Sequence, residues 1–198
     1  MKIEEEAILS EYFKDEINKT SQKLSIPLSP FTKKYLVKLL ERFGDASNYQ
    51  AGFNSQHIKS TDSISEIFLK SQNLNENEKI SQLQNLADYL LFTSGYFSEK
   101  LRKSLVDITY YEKIGRNSYS NVASLKKKYQ GGEVFLNLSK KFPQLRSILE
   151  EISLANSLQS DNSIIQLYSK YEKSPSQRIA RILNEQGILI SKKASGDN

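Results

Sequence analysis

Between Leu86 and Leu125 the chain reads LADYLLFTSGYFSEKLRKSLVDITYYEKIGRNSYSNVASL, two apolar stripes at helical spacing, interleaved with Tyr and Phe and broken at Gly95. Side chains that recur every three or four positions share one face of a helix, whereas a strand would scatter them over both faces. Aromatic residues on such stripes need a partner surface, so this segment demands helix-on-helix packing.

The same period governs most of the chain. Leu9, Phe13, Ile17 and Leu24, joined by Ile3 and Tyr12, predict a charged amphipathic helix over about 3–24. After Ile26-Pro27, Ser29 and Pro30 form a cap and a first-turn proline for a helix over 30–43, whose face is Phe31, Leu36, Leu39, Leu40 and Phe43. Residues 44–63 show no period and are crowded with Gly, Asn, Ser and Asp, which predicts a long mobile loop holding Phe53 and the single histidine, His57, as a solvent-exposed residue. A short helix is expected over 63–71. Asn75 with Glu78 then starts one that runs through Ser94 and stops at Gly95. Ser98 can cap a short helix bearing Leu101 and Leu105. Asp107 can cap a long one, with Val106 and Tyr111 as a staple and an inward stripe of Tyr111, Ile114, Ser118, Val122 and Leu125. Gly131-Gly132 precede Val134, Phe135, Leu138 and Phe142, and Pro143 opens a helix with Leu145, Ile148, Leu149 and Ile152. Further helices follow Asp161 and Ser174-Pro175, the last closing at Gly187.

No stretch alternates apolar and polar residues as a half-buried strand would, so the fold class is all-α, a compact bundle of seven to nine helices with one long mobile loop. The domain reading is an amphipathic helix over 1–25, a helical domain over 26–190 and a disordered tail over 191–198.

Composition narrows the setting. With 38% apolar and 10% aromatic residues the chain can build a core, and with no cysteine it has neither disulfides, thiolate metal ligands nor a cysteine nucleophile. The start MKIEEEAILSEYF lacks the basic flank and apolar run of a signal peptide, and nothing approaches a membrane span, so a cytoplasmic protein without membrane insertion is expected. Residues 1–98 carry 11 Lys/Arg against 13 Asp/Glu, and residues 99–198 carry 17 against 10. The basic C-terminal half allows weak nucleic-acid binding, but Lys outnumbers Arg 22 to 6 in a chain also rich in Asn, Ser and Ile, which marks a compositional bias more than a selected surface. The segment SQRIARILNEQGI looks like the first helix of a helix-turn-helix, yet too few residues follow Ile190 for a recognition helix.

Enzyme chemistry has little to rest on. Carboxylate pairs such as Glu150/Glu151 and Asp15/Glu16 are adjacent and splay around a helix, so no metal site is expected; no Ser has a histidine base in reach, and Gly131-Gly132 lacks the residues of a phosphate loop. No catalytic residue and no cofactor follow. The sharpest polar grouping is Asp88, Arg102, Tyr110, Tyr111, Arg116 and Tyr119. In a chain that uses Lys by default, Arg among aromatics suits bidentate or stacked contacts, and Asp88 at the edge of an apolar face needs a partner such as Arg102 or Arg116. The group then forms a ligand or partner site, or a structural staple. In the competing arrangement Glu112 pairs with Arg116 at i,i+4, Arg102 reaches solvent and the tyrosines fill the core.

Several of these blocks, Leu91-Phe92, Gly95-Tyr96-Phe97, Leu101-Arg102, Tyr110-Tyr111, Gly115-Arg116 and Tyr119, then Leu167-Tyr168, Ser176-Gln177-Arg178-Ile179-Ala180 and Leu183 before Gly187, resemble an uncharacterised family of all-helical bacterial proteins. The likeness spans roughly residues 28–190, with Ala87 where that family usually has Gly and Ser98 where it usually has Pro. It implies a helical fold and a bacterial source, and no activity. The functional expectation is therefore a non-enzymatic protein-interaction or structural module with a protein partner or self-association. The alternative is a helical small-ligand or anion-binding protein using a Tyr/Arg pocket.

Overall fold

A computed structural model describes residues 2–44, 63–98, 101, 107–127, 131–157, 177, 179 and 180, with backbone alone for 2–8 and 44. Seven helices run through them: α1 (Lys2–Lys23), α2 (Pro30–Gly44), α3 (Ile64–Ser71), α4 (Glu76–Tyr96), α5 (Ile108–Lys126), α6 (Gly132–Lys140) and α7 (Phe142–Ser157). The protein is all-α, with no strand among the described residues. The chain divides into two units, Met1–Ser153 and Leu154–Asn198. Of the second, the described residues are the end of α7 and positions 177, 179 and 180. The expected loop 44–63 with His57 and Phe53 (Gly44, the last residue of α2, and Ser63 aside), Leu105, Val106, the helix after Asp161, most of the helix after Ser174 and the tail 191–198 lie outside the described residues. Among the described residues, no helix is long and apolar enough to cross a membrane.

Local signals set the helix starts. Ser63 and Glu66 form a capping box at α3: the Glu66 amide donates to Ser63 Oγ at 3.3 Å, and the Ser63 amide donates to Glu66 Oε2 at 2.6 Å. Asn75 Oδ1 accepts the Glu78 amide at 3.0 Å to start α4, and Asp107 Oδ1 accepts the Thr109 amide at 3.0 Å to start α5. Bonds from the Thr109 amide and then its hydroxyl hold the Asp107 carboxyl below its usual range. Ser29 Oγ accepts the Thr32 amide at 3.2 Å ahead of Pro30. The exit of α1 is a Schellman turn: the Ile26 amide reaches the Ser21 carbonyl at 2.9 Å, and the Ser25 amide reaches Gln22 at 3.0 Å. Ser25 takes φ 54° there, the left-handed conformation that glycine adopts most easily.

α4 is the central element of the first unit. It packs most extensively against α5, and also against α3 and α2, while α5 carries α6 on another side. From Leu86 to Gly95 every α4 residue except Tyr89 is buried, which is the signature of a helix enclosed nearly all round. Phe92 stacks between Phe43 and Tyr96, with ring centroids 5.0 and 5.1 Å away. Phe13 and Ile17 of α1, Leu36 and Leu40 of α2, and Phe142, Leu145, Ile148 and Leu149 of α7 belong to the same core.

One detail corrects the sequence reading and a second extends it. Gly95 does not stop α4, which continues to Tyr96. A Cβ on Gly95 would lie 2.7 Å from Leu149 Cβ and 3.0 Å from the Arg146 carbonyl, so the glycine is there for close helix contact. On α5 the expected stripe faces inward, with Ser118 and Val122 buried and Tyr111 and Ile114 half-buried against the core, and the burial extends to Gly115, Tyr119 and Ala123, which the stripe did not include. A Cβ on Gly115 would meet the Phe142 ring at 2.5 Å.

Candidate functional site

Asp88 lies on the enclosed part of α4, 4% exposed. A carboxylate there has no route to water, and burial favours its protonated form. Its partners come from other helices. Tyr35 of α2 donates to Oδ1 at 2.5 Å, Tyr119 of α5 donates to the same oxygen at 2.8 Å, and Arg42 Nη1 of α2 faces Oδ2 at 3.5 Å. Desolvation pushes the Asp88 carboxyl up to about 6; the two tyrosine hydroxyls, Arg42 and Lys126 draw it back in part. Both tyrosine hydroxyls are held protonated, their pKa values raised first by burial and then by the Asp88 charge. A protonated phenol is the species that can donate, so the network is consistent in its charge states.

The rings around this centre are apolar walls. Tyr35 meets Tyr119 and Phe135 edge-on at 6.3 and 5.7 Å, and Tyr119 leans on Phe142 at 6.1 Å. Arg42 lies 5.0 Å over the Phe43 ring, and Lys126 lies 4.7 Å over Phe135. The carboxylate is thus enclosed by hydroxyls, one guanidinium and aromatic faces.

Of the residues grouped from sequence, the structure brings Asp88 and Tyr119 together. Arg116 is on the outer side of α5, 3.6 Å from Glu112 at i,i+4. The Tyr110 hydroxyl shares a hydrogen bond with Ser65 of α3, and its ring meets Tyr111 edge-on at 6.2 Å. Arg102 lies outside the described residues. Tyr35 and Arg42 were not joined to Asp88 from sequence. The available signal was a phenol and a guanidinium two turns apart on the otherwise apolar face of α2.

A different kind of place lies between α1 and α2. An open groove of about 350 Å³ is walled by Lys14 and Asn18 on one side and by Pro30, Lys33, Lys34 and Val37 on the other. Lys33 Nζ donates to Asn18 Oδ1 at 2.7 Å and so ties the two walls together. Lys14 and Lys34 are exposed, and among the described residues neither has an ion pair and no carboxylate lines the groove. Phe31, one turn before Lys34, is 71% exposed. A second hollow of about 650 Å³, between the end of α5 and α6, mixes charges, with Lys127 and Glu133 in its lining. Among the described residues, no group of three or more His, Asp or Glu side chains is placed to hold a metal ion.

No family model, no curated protein and no solved structure matches the chain. What stands beside the sequence resemblance is an all-helical architecture.

Proposed function

We propose that this is a non-enzymatic helical module that acts by binding another protein, in the bacterial cytoplasmic setting suggested by the sequence resemblance and the cysteine-free composition. The observation that carries the reading is the exposure of Phe31 on α2, next in the chain to Pro30 of a groove whose Lys14 and Lys34 make no ion pair among the described residues. An aromatic side chain left in water next to an apolar hollow is the kind of surface that a partner covers. The polar centre at Asp88 supports the same reading from the other side, since its oxygens are taken by Tyr35, Tyr119 and Arg42.

Native mass spectrometry of the protein purified from its own source at low salt, with the nucleic-acid absorbance ratio recorded, tests this. Extra mass equal to a second polypeptide is the expected result. A bare 22.7 kDa chain, a bound small molecule or co-purified nucleic acid contradicts it.

A further inference from the structure

We propose that the α1–α2 groove receives an acidic amphipathic helix of a partner protein, its apolar stripe on Pro30 and Val37 and its carboxylates on Lys14 and Lys34. This rests on the protein-interaction reading and gives it a place and a partner chemistry. Three observations converge on it. The groove is preformed: Phe13, Ile17, Leu36 and Leu40 pack the two helices together in the core, and the Lys33–Asn18 bond fixes their spacing at the surface. The charged residues of its described lining have one sign. Lys14 and Lys34 come from opposite walls, so they can flank a helix laid along the groove, and neither makes an ion pair among the described residues. Finally, Val37 and Pro30 form an apolar floor, and Phe31, next in the chain to Pro30, is exposed.

Lysines on an apolar trough select between polyanions. A phosphate backbone can use the charges and has nothing to place on the floor, whereas an amphipathic helix with acidic flanks uses both. The groove's volume suits a few side chains of such a helix, inserted at i, i+3 or i+4, and i+7. Complementary charge then sets which helices are accepted, and mutual repulsion excludes basic ones.

The test uses the full chain and fluorescence anisotropy with two labelled synthetic helical peptides that share one leucine stripe, one flanked by Glu and the other by Lys, plus an oligothymidine. The Glu peptide is expected to bind, to lose about fivefold in affinity between about 50 and 300 mM salt, and to bind at least about tenfold more tightly than the Lys peptide. In K14E/K34E the affinity for the Glu peptide falls about tenfold or more, in K14R/K34R it is kept, and in Phe31→Ser it falls several-fold. Circular dichroism melts are expected to show all three variants folded; a K14E/K34E protein that retains full affinity overturns the proposal. So do equal binding of both peptides, absence of Glu-peptide binding, tighter binding of the oligothymidine, or a second copy of this chain occupying the groove. Should native mass spectrometry find a bound protein while the Glu peptide does not bind, the groove assignment fails and the interaction reading stands; should it find none and the peptide also fail, both fall.

Discussion

Asp88 and Lys34 are both charged residues set against apolar surroundings, and the chain resolves the two conflicts in opposite ways. Around Asp88 it brings in partners from α2 and α5 and closes the space with aromatic rings, leaving the carboxylate 4% exposed. At the α1–α2 groove the ammonium groups stay in water and the apolar floor stays open. A closed polar centre fixes one packing arrangement, because an unsatisfied group in the interior costs more than a satisfied one gains. An open one contributes little to folding and remains available for a partner. The comparison assigns stability to the first region and recognition to the second.

The largest test of that assignment is Tyr119→Ala. Tyr119 is fully buried, and its removal opens a cavity and takes one hydrogen bond from Asp88; a loss of about 4 kcal/mol in urea unfolding is expected. A loss below about 1 kcal/mol would mean that the centre is not a packing element.

Asp88 itself should appear in the pH dependence. Its folded pKa, about 6, lies above the ordinary 3.8, so between those values the native state keeps a proton that the unfolded chain has released. Stability contributed by this group is therefore complete at low pH and declines as pH rises toward about 6, by roughly 3 kcal/mol in all. Asp88→Asn removes that component: the difference between variant and parent should move in the variant's favour from pH 4 to pH 7, read by unfolding at both pH values. Parallel pH profiles would show that Asp88 titrates as it does in water.

Tyr119→Phe keeps the ring and removes the hydroxyl. The expected cost is about 2 kcal/mol at pH 8, where Asp88 is ionised, and less at pH 5, where it is mostly protonated. A cost independent of pH would detach the hydroxyl from the carboxylate.

Smaller effects sharpen the other side of the comparison. Ser25→Gly relieves the left-handed turn that leads from α1 toward α2 and should raise stability by about 0.5–1 kcal/mol, measured by thermal unfolding. Lys34→Glu should change stability by no more than about 0.5 kcal/mol, since the side chain is exposed and makes no ion pair among the described residues.

Which features could be read from the sequence follows from the range of the interactions behind them. Ser63, Asn75 and Asp107 announce helix starts because a cap and the amide it binds lie within three residues of each other. Gly95 misleads for the same reason in reverse: locally a glycine reads as a stop, and only the approach of Leu149 on α7 explains why the helix passes through it. On α5 the helical period was enough to place Ser118 and Val122 inward, whereas the burial of Gly115 depends on the approach of Phe142 from another helix. The need of Asp88 for partners was legible from its place on an apolar stripe. That Tyr35 and Arg42 join it was not, because they lie 53 and 46 residues away, on a helix whose own spacing is silent about α4. The groove was invisible in the same way: Lys14 and Lys34 are ordinary surface lysines until the turn at Ser25 lays α1 against α2.

The most direct test of the division between a closed structural centre and an open recognition groove is to titrate the Glu-flanked peptide into Tyr119→Phe and K14E/K34E side by side, below their unfolding transitions. The account predicts that Tyr119→Phe, though less stable, binds as the parent does, while K14E/K34E, though equally stable, loses about tenfold or more in affinity. Loss of binding in Tyr119→Phe with full binding in K14E/K34E would contradict it.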